Sequence, residues 1–183
     1  MLPFIIAAIV MLLDQISKYM ISQNMQVGET FNFVPHILNI TYITNPGASF
    51  GILKDHRWIF MILSVLALAL MAAAIVYFTK KQNHRLMQIA IALMFGGGIG
   101  NMIDRFFRGE VVDFFEFAFV KFAIFNVADS FICIGSVLFC VCVFSGRYTL
   151  FGITKSNKME IDENPDETGE ANEANETDKS EEI

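Results

Sequence analysis

The chain has 183 residues, of which 54% are hydrophobic, 13% aromatic and only 17% charged. A soluble domain carries about 25% charged residues. Here the apolar residues also run in long blocks, which excludes an ordinary soluble globular protein and indicates a membrane protein. The net charge of −6 is unevenly placed: residues 160–183 hold eleven Asp/Glu against one Lys, whereas residues 1–159 hold twelve Lys/Arg against eight Asp/Glu. That tail has almost nothing apolar to bury and is expected to be disordered over 151–183, and its acidity argues against nucleic acid or anionic lipid heads as partners.

Residues 2–13, LPFIIAAIVMLL, are continuously apolar, and the pattern carries on past Asp14 and Lys18 through Ile21. No basic segment precedes this block and no A-x-A-like site follows it, so a retained first span over 2–22 is expected, not a cleaved signal peptide. Between 23 and 56 the character changes. Gln23, Asn24, Gln26, Gly28 and Glu29 break the helix, a β-branched run follows at 37–44 (ILNITYIT), and Asn45-Pro46-Gly47 reads as a turn. A small β-element outside the membrane is expected there.

A second span is expected over 58–78, opened by Trp58 and closed by Tyr77 as interfacial aromatics. Lys80, Lys81, His84 and Arg85 form a short basic loop before a third span at 86–104, which carries Gly96, Gly97, Gly98 and Gly100. Glycines so spaced allow close helix approach, and they are also a candidate place for a substrate helix to lie. A Phe-rich connection over 105–125 leads to a fourth span at 126–146. The cysteines, Cys133, Cys140 and Cys142, all fall in that span and match neither zinc-ligand spacing nor a disulfide framework, so packing is their expected role. No metal site and no cofactor is expected.

The fold class is therefore membrane all-α: four transmembrane helices within 1–150, a small extracytoplasmic β-element and a disordered acidic tail. Four spans put both termini on one side. The basic residues at 80–85 and after span four mark that side as cytoplasmic. Parity then collects Asp14, Lys18, Asn45, Asn101, Asp104, Arg105, Asp113, Asn126 and Asp129 at the opposite, outer end of the bundle.

A carboxylate beside hydrocarbon is costly and is rarely there without a partner or a task. Asp14 and Lys18, four apart on a helix, share a face and can pair; they form either a structural ion pair or a hold on substrate or loop. Asn101, Asp104 and Arg105 follow i, i+3, i+4 spacing, and fastening the end of span three is the preferred reading for them, since an ion pair needs no catalytic duty to be retained. Asn126 and Asp129 share a face at the first turn of span four, where Asp129 is either a partner of the helix dipole or an acid for chemistry. Asp113 lies in VVDFF, whose apolar flanks raise a carboxyl pKa. Held together, Asp113 and Asp129 cannot both ionise freely, and such a pair splits into one acid and one base. Other chemistries are poorly supplied: His36, His56 and His84 are far apart, Ser17 and Lys18 are helix neighbours that do not face each other, and GGGIG lacks the G-K-[ST] of a phosphate loop.

At these residues the sequence resembles lipoprotein signal peptidase (signal peptidase II), a family of bacterial membrane aspartyl endopeptidases. The matching segments are DQISK at 14–18, NPGASFG at 45–51, GGIGNMIDR at 97–105, VVDF at 111–114 and FNVADS at 125–130, in the family's order over roughly residues 1–150. The resemblance implies cleavage of the signal peptide from diacylglyceryl-modified prolipoproteins just before the lipidated Cys. It implies a catalytic dyad at Asp113 and Asp129, with Asp14, Lys18, Asn45, Gly47, Asn101, Asp104, Arg105 and Asn126 supporting the site or contacting substrate. Lipid-modified prolipoprotein, membrane lipid and globomycin-type inhibitors are the partners it implies. One departure is Pro46, where the family more often has Thr; Pro removes a backbone donor there. Ser49 replaces a frequent Ala. Two rival readings remain, a small proton-coupled transporter and a non-enzymatic scaffold. Transporter sites lie near the bilayer midplane between repeats, and neither an internal repeat nor midplane carboxylates are visible here.

Overall fold

A computed structural model describes residues 1–46, 57–80 and 85–145. Gly47 and the acidic tail lie outside the described residues. Four helices carry the fold: α1 (Leu2–Asn24), α2 (Arg57–Lys80), α3 (Arg85–Phe107) and α4 (Val127–Phe144). All four are long and apolar enough to cross a membrane. Burial is inverted relative to a soluble protein. Ile5, Ile9, Leu12 and Ile16 of α1, Leu63, Leu66 and Leu70 of α2, and Ile134, Val137 and Val141 of α4 face outward, whereas Asp14, Lys18 and Asp104 are fully buried. In lipid the outer apolar surface needs no cover, and the polar side chains must find partners inside.

Helix α3 packs against α1, α2 and α4. Its glycines make this possible. A Cβ at Gly96 would sit 2.5 Å from the Ala7 carbonyl oxygen, one at Gly97 2.5 Å from the Ala128 carbonyl oxygen, and one at Gly100 2.5 Å from Asp14 Oδ2. On α4, Gly135 approaches the Ala90 carbonyl oxygen in the same way. The glycine stretch is therefore filled by α1, α4 and the Leu68 side chain of α2, and it leaves no berth for a substrate helix, contrary to the expectation from sequence. Away from this contact Ile75, Phe78, Met87, Ile91 and Cys142 form a second packed layer, so Cys142 has the packing role expected of it, while Cys133 and Cys140 face outward.

Beyond the helices stands an antiparallel sheet in the order β1 (Thr30–Val34), β2 (Leu38–Asn45), β3 (Val111–Phe117). The first two strands fall where the β-branched run predicts them. The third does not: the segment read as a Phe-rich connection supplies a strand, so the β-element extends beyond residues 23–56. VVDFFEF lacks the apolar–polar alternation of a half-exposed strand because its first four residues, Val111 to Phe114, are all buried. Val112 and Phe114 join Ile40 and Tyr42 in a small core on which Ile21, Met25 and Val127 pack, fastening the sheet to α1 and α4. At the end of α3 the N–H groups of Arg108 and Gly109 both donate to the Asp104 carbonyl, and Gly109 takes φ 84° to turn the chain into β3.

The glycine contacts predict an asymmetry. Gly96→Ala drives a methyl into α1 backbone and is expected to cost about 1–3 kcal/mol, read as a lower melting temperature in detergent. Gly98→Ala meets only the end of the flexible Leu68 side chain and is expected to change the melting temperature little.

Candidate active site

The site grows from two turns of backbone. Phe125 pairs with Phe115: its N–H donates to the Phe115 carbonyl at 3.1 Å, and its carbonyl accepts from Phe115 at 2.7 Å and Phe114 at 3.0 Å. This bridge returns the chain to β3 and lays Asn126 beside Asp113. Asn126 then caps α4. Its Oδ1 accepts from the Asp129 N–H at 2.9 Å, and its own N–H donates to Asp129 Oδ2 at 3.3 Å, a reciprocal capping box. The same Asn126 donates through Nδ2 to Asp113 Oδ1 at 2.6 Å. One residue thus bonds to both carboxylates.

Each carboxylate has a second amide donor. Asn45, on β2, donates to Asp113 Oδ2 at 3.0 Å, and Asn101, on α3, donates to Asp129 Oδ1 at 2.7 Å. Asp113 is 2% exposed, whereas Asp129 and Asn45 are partly exposed and mark the open side of the site. Beneath them lies a charged floor. Lys18 Nζ contacts Asp14 Oδ2 at 2.8 Å and Asp104 Oδ2 at 2.9 Å, and donates to Asn101 Oδ1 at 2.9 Å. Asp14 Oδ1 accepts the Ala128 N–H at 2.9 Å, so α1 satisfies one of the free donors at the start of α4.

Eight of the ten residues singled out from sequence meet here: Asp14, Lys18, Asn45, Asn101, Asp104, Asp113, Asn126 and Asp129. Gly47 is outside the described residues. Arg105 does not join the network. Asp104 pairs with Lys18 instead, and Arg105 Nε is buried without an acceptor among the described residues. One participant went unnoticed in the sequence: Gln15, whose Nε2 donates to the Gly100 carbonyl at 3.0 Å and lies 3.2 Å from Asp14 Oδ2 and 3.4 Å from Asp104 Oδ1. Its place next to Asp14 in DQISK is the only signal the sequence offers. Ser17 Oγ donates to the Asp14 carbonyl at 2.8 Å and makes no contact with the Lys18 ammonium, so no Ser/Lys dyad forms. Among the described residues no group of His, Cys, Asp and Glu is arranged to hold a metal ion.

The family model for signal peptidase (SPase) II matches residues 6–145. The chain belongs to the signal peptidase II family. Proteins named lipoprotein signal peptidase from Bacillus pumilus and Staphylococcus aureus are 40% identical over 154 residues and 42% identical over 144 residues. These alignments cover 81% and 76% of this chain, and 97% and 85% of the relatives. Two solved structures described as a bacterial membrane enzyme superpose with TM-scores of 0.70 and 0.68 at 39% and 40% identity, covering 86% and 77% of this chain and 92% and 91% of theirs. This signal peptidase II is thus a multi-pass membrane protease.

Burial acts on the electrostatics of Asp113. Burial pushes the Asp113 carboxyl up to about 6; the bond from Asn45 opposes the rise and the neighbouring Asp129 charge adds to it. A carboxyl that the fold holds above its unfolded value favours folding below about pH 4, and that contribution is lost as pH rises through about 6. Asp113→Asn removes the desolvated charge. It is expected to stabilise the peptidase by on the order of 2 kcal/mol at pH 7.5, since a tenfold change in an ionisation equilibrium is worth about 1.4 kcal/mol. The melting temperature of the variant should exceed that of the parent at pH 7.5, and the gap should close near pH 4.

Proposed function

We propose that this signal peptidase II is an aspartyl endopeptidase that removes the signal peptide of diacylglyceryl-modified prolipoproteins immediately before the lipidated Cys, with Asp113 and Asp129 as its catalytic pair. The observation that carries this reading is the pair's common attachment to Asn126, which fixes two carboxylates from different elements beside each other at the partly open edge of the bundle.

In this reading the ionised member of the pair takes a proton from water as its oxygen attacks the scissile carbonyl, and a proton on the other member passes to the leaving nitrogen as the C–N bond breaks. A carboxyl pushed up to about 6 suits Asp113 to exchange a proton in both directions. The amide donors on all four carboxylate oxygens hold the pair's geometry without themselves titrating. The substrate's acyl chains stay in the bilayer, against the outward-facing leucines, isoleucines and valines of the helices. Because the glycines of α3 are filled, the signal helix lies outside the α1–α3–α4 contact. Both termini are cytoplasmic and the site faces the extracytoplasmic side; the basic residues of 80–85 and Arg147, Lys155 and Lys158 support this orientation. Globomycin-type inhibitors act on the same site.

The test is cleavage of a diacylglyceryl-modified preprolipoprotein by the purified protein, with products identified by mass. The parent is expected to release a fragment beginning with the lipidated Cys and to be blocked by globomycin. Asp113→Asn and Asp129→Asn are each expected to lower the rate by roughly 10³-fold or more while remaining folded. Full activity in either variant overturns the assignment.

A further inference from the structure

We propose that Lys18 is a positioning residue that fixes the amide orientation of Asn101 and Asn126 and through them holds both dyad carboxylates in their working geometry. The inference rests on the assignment of Asp113 and Asp129 as the catalytic pair.

Lys18 is fully buried, and its ammonium has three acceptors at hydrogen-bonding distance: Asp14 Oδ2, Asp104 Oδ2 and Asn101 Oδ1. An ammonium has three hydrogens and no acceptor. All three are used, so Lys18 has nothing left to offer a substrate or a water, and its influence passes through its partners. The atom of Asn101 that faces it must be the carbonyl oxygen. That forces the Asn101 NH2 to the other side, where it donates to Asp129 Oδ1.

The constraint continues into the second amide. Asn101 Oδ1 also accepts from Asn126 Nδ2 at 3.1 Å, so the Asn126 NH2 must point inward. That same Nδ2 reaches Asp113 Oδ1 and the Val112 carbonyl, and the Asn126 oxygen is left to accept the Asp129 N–H. An isolated asparagine amide turns over at little cost when its surroundings do not distinguish oxygen from nitrogen. Here the Lys18 cation makes the distinction at Asn101 and passes it to Asn126, in concert with the acceptors on Asp129, Asp113 and Val112. With Asn101 turned over, its oxygen would face Asp129 and repel the carboxylate.

Lys18→Met alone would leave Asp14 and Asp104 buried with one cation fewer, a change that threatens folding. The variant to test is therefore Lys18→Met/Asp104→Asn, which removes one charge of each sign and leaves Asp14 bonded to the Ala128 N–H and near Gln15. Lys18 contacts Asp14 on α1 and Asp104 on α3, its charge acts on Asp113 on β3, and Asp129 on α4 is linked to it through the Asn101 amide. The Lys18 charge opposes the rise of the Asp113 carboxyl, so its removal should move the acid limb of the pH–rate profile upward.

Steady-state cleavage of the lipidated preprolipoprotein by full-length protein in lipid nanodiscs is expected to show kcat down about 100-fold with KM within about threefold, consistent with loss of positioning donors at the reacting groups. The acid limb should shift up. Asn101→Asp is the companion variant: it keeps an acceptor for Lys18 and Asn126, deletes the donor to Asp129 and sets a second carboxylate oxygen against it, and a fall in kcat at least as large is expected. Parental kcat and pH profile in a folded Lys18→Met/Asp104→Asn overturn the proposal, as does parental kcat in Asn101→Asp should the double variant fail to fold. If Asp113→Asn or Asp129→Asn retains full activity, the dyad assignment itself fails; if both are inactive while Lys18→Met/Asp104→Asn cleaves normally, only the role of Lys18 does.

Discussion

A lysine ammonium with no exposure to solvent is the constraint around which this bundle is assembled. Removing such an ion from water carries an effective penalty of several kcal/mol, and it is tolerated only where good geometry and full hydrogen bonding offset it. Lys18 has both, through carboxylates from its own helix and from α3 and through the Asn101 amide. The carboxylates are then committed in turn: Asp14 takes the Ala128 N–H at the start of α4, and Asp104 Oδ2 lies 3.3 Å from the Val112 N–H of β3. Four elements, α1, α3, α4 and β3, are joined through one cation.

That network demands helices closer together than ordinary side chains allow. Gly100 lies against the Asp14 carboxylate, and Gly96 and Gly97 lie against the backbones of α1 and α4. In a bilayer no hydrophobic force pulls apolar helices together, so close backbone packing and interhelical polar bonds must do it. The glycines and the ion network are two halves of one solution: the first sets the spacing and the second makes that spacing favourable. This is why the small residues that suggested an opening for a substrate helix turn out to be occupied.

The helices were legible because each is an apolar run of membrane-spanning length, which depends on local composition alone. The Asp14–Lys18 pair was legible because it lies within one helical turn and a half. Long-range pairing was not. Nothing in VVDFFEF shows the alternation of a half-exposed strand, since its first half is buried on both faces, and its partner Asn45 is 68 residues away from Asp113 in the chain. Spacing alone grouped Asp104 with Arg105, whereas the structure gives Asp104 to a lysine on another helix. Local reading left Asp129 open between a helix-end role and a chemical one. The structure shows it in the capping box and beside Asp113 at once, so the helix-end role does not exclude a chemical one. Span parity put these residues at one end of the bundle, and the motif resemblance grouped them into one candidate site.

Asn126 makes the consequence general. As the N-cap of α4 it belongs to the helix; as the donor to Asp113 it belongs to the sheet; as the donor to Asn101 Oδ1 it belongs to the ion network. A cap forms only when the helix starts at that residue, and the Phe115–Phe125 bridge fixes where the chain reaches it. Folding of the first turn of α4 and assembly of the carboxylate pair are therefore the same event. A chain in which α4 begins one residue early or late would lose the cap and, with a turn of about 100° per residue, swing Asp129 away from Asn101. The register of one helix start is in this way the register of the site.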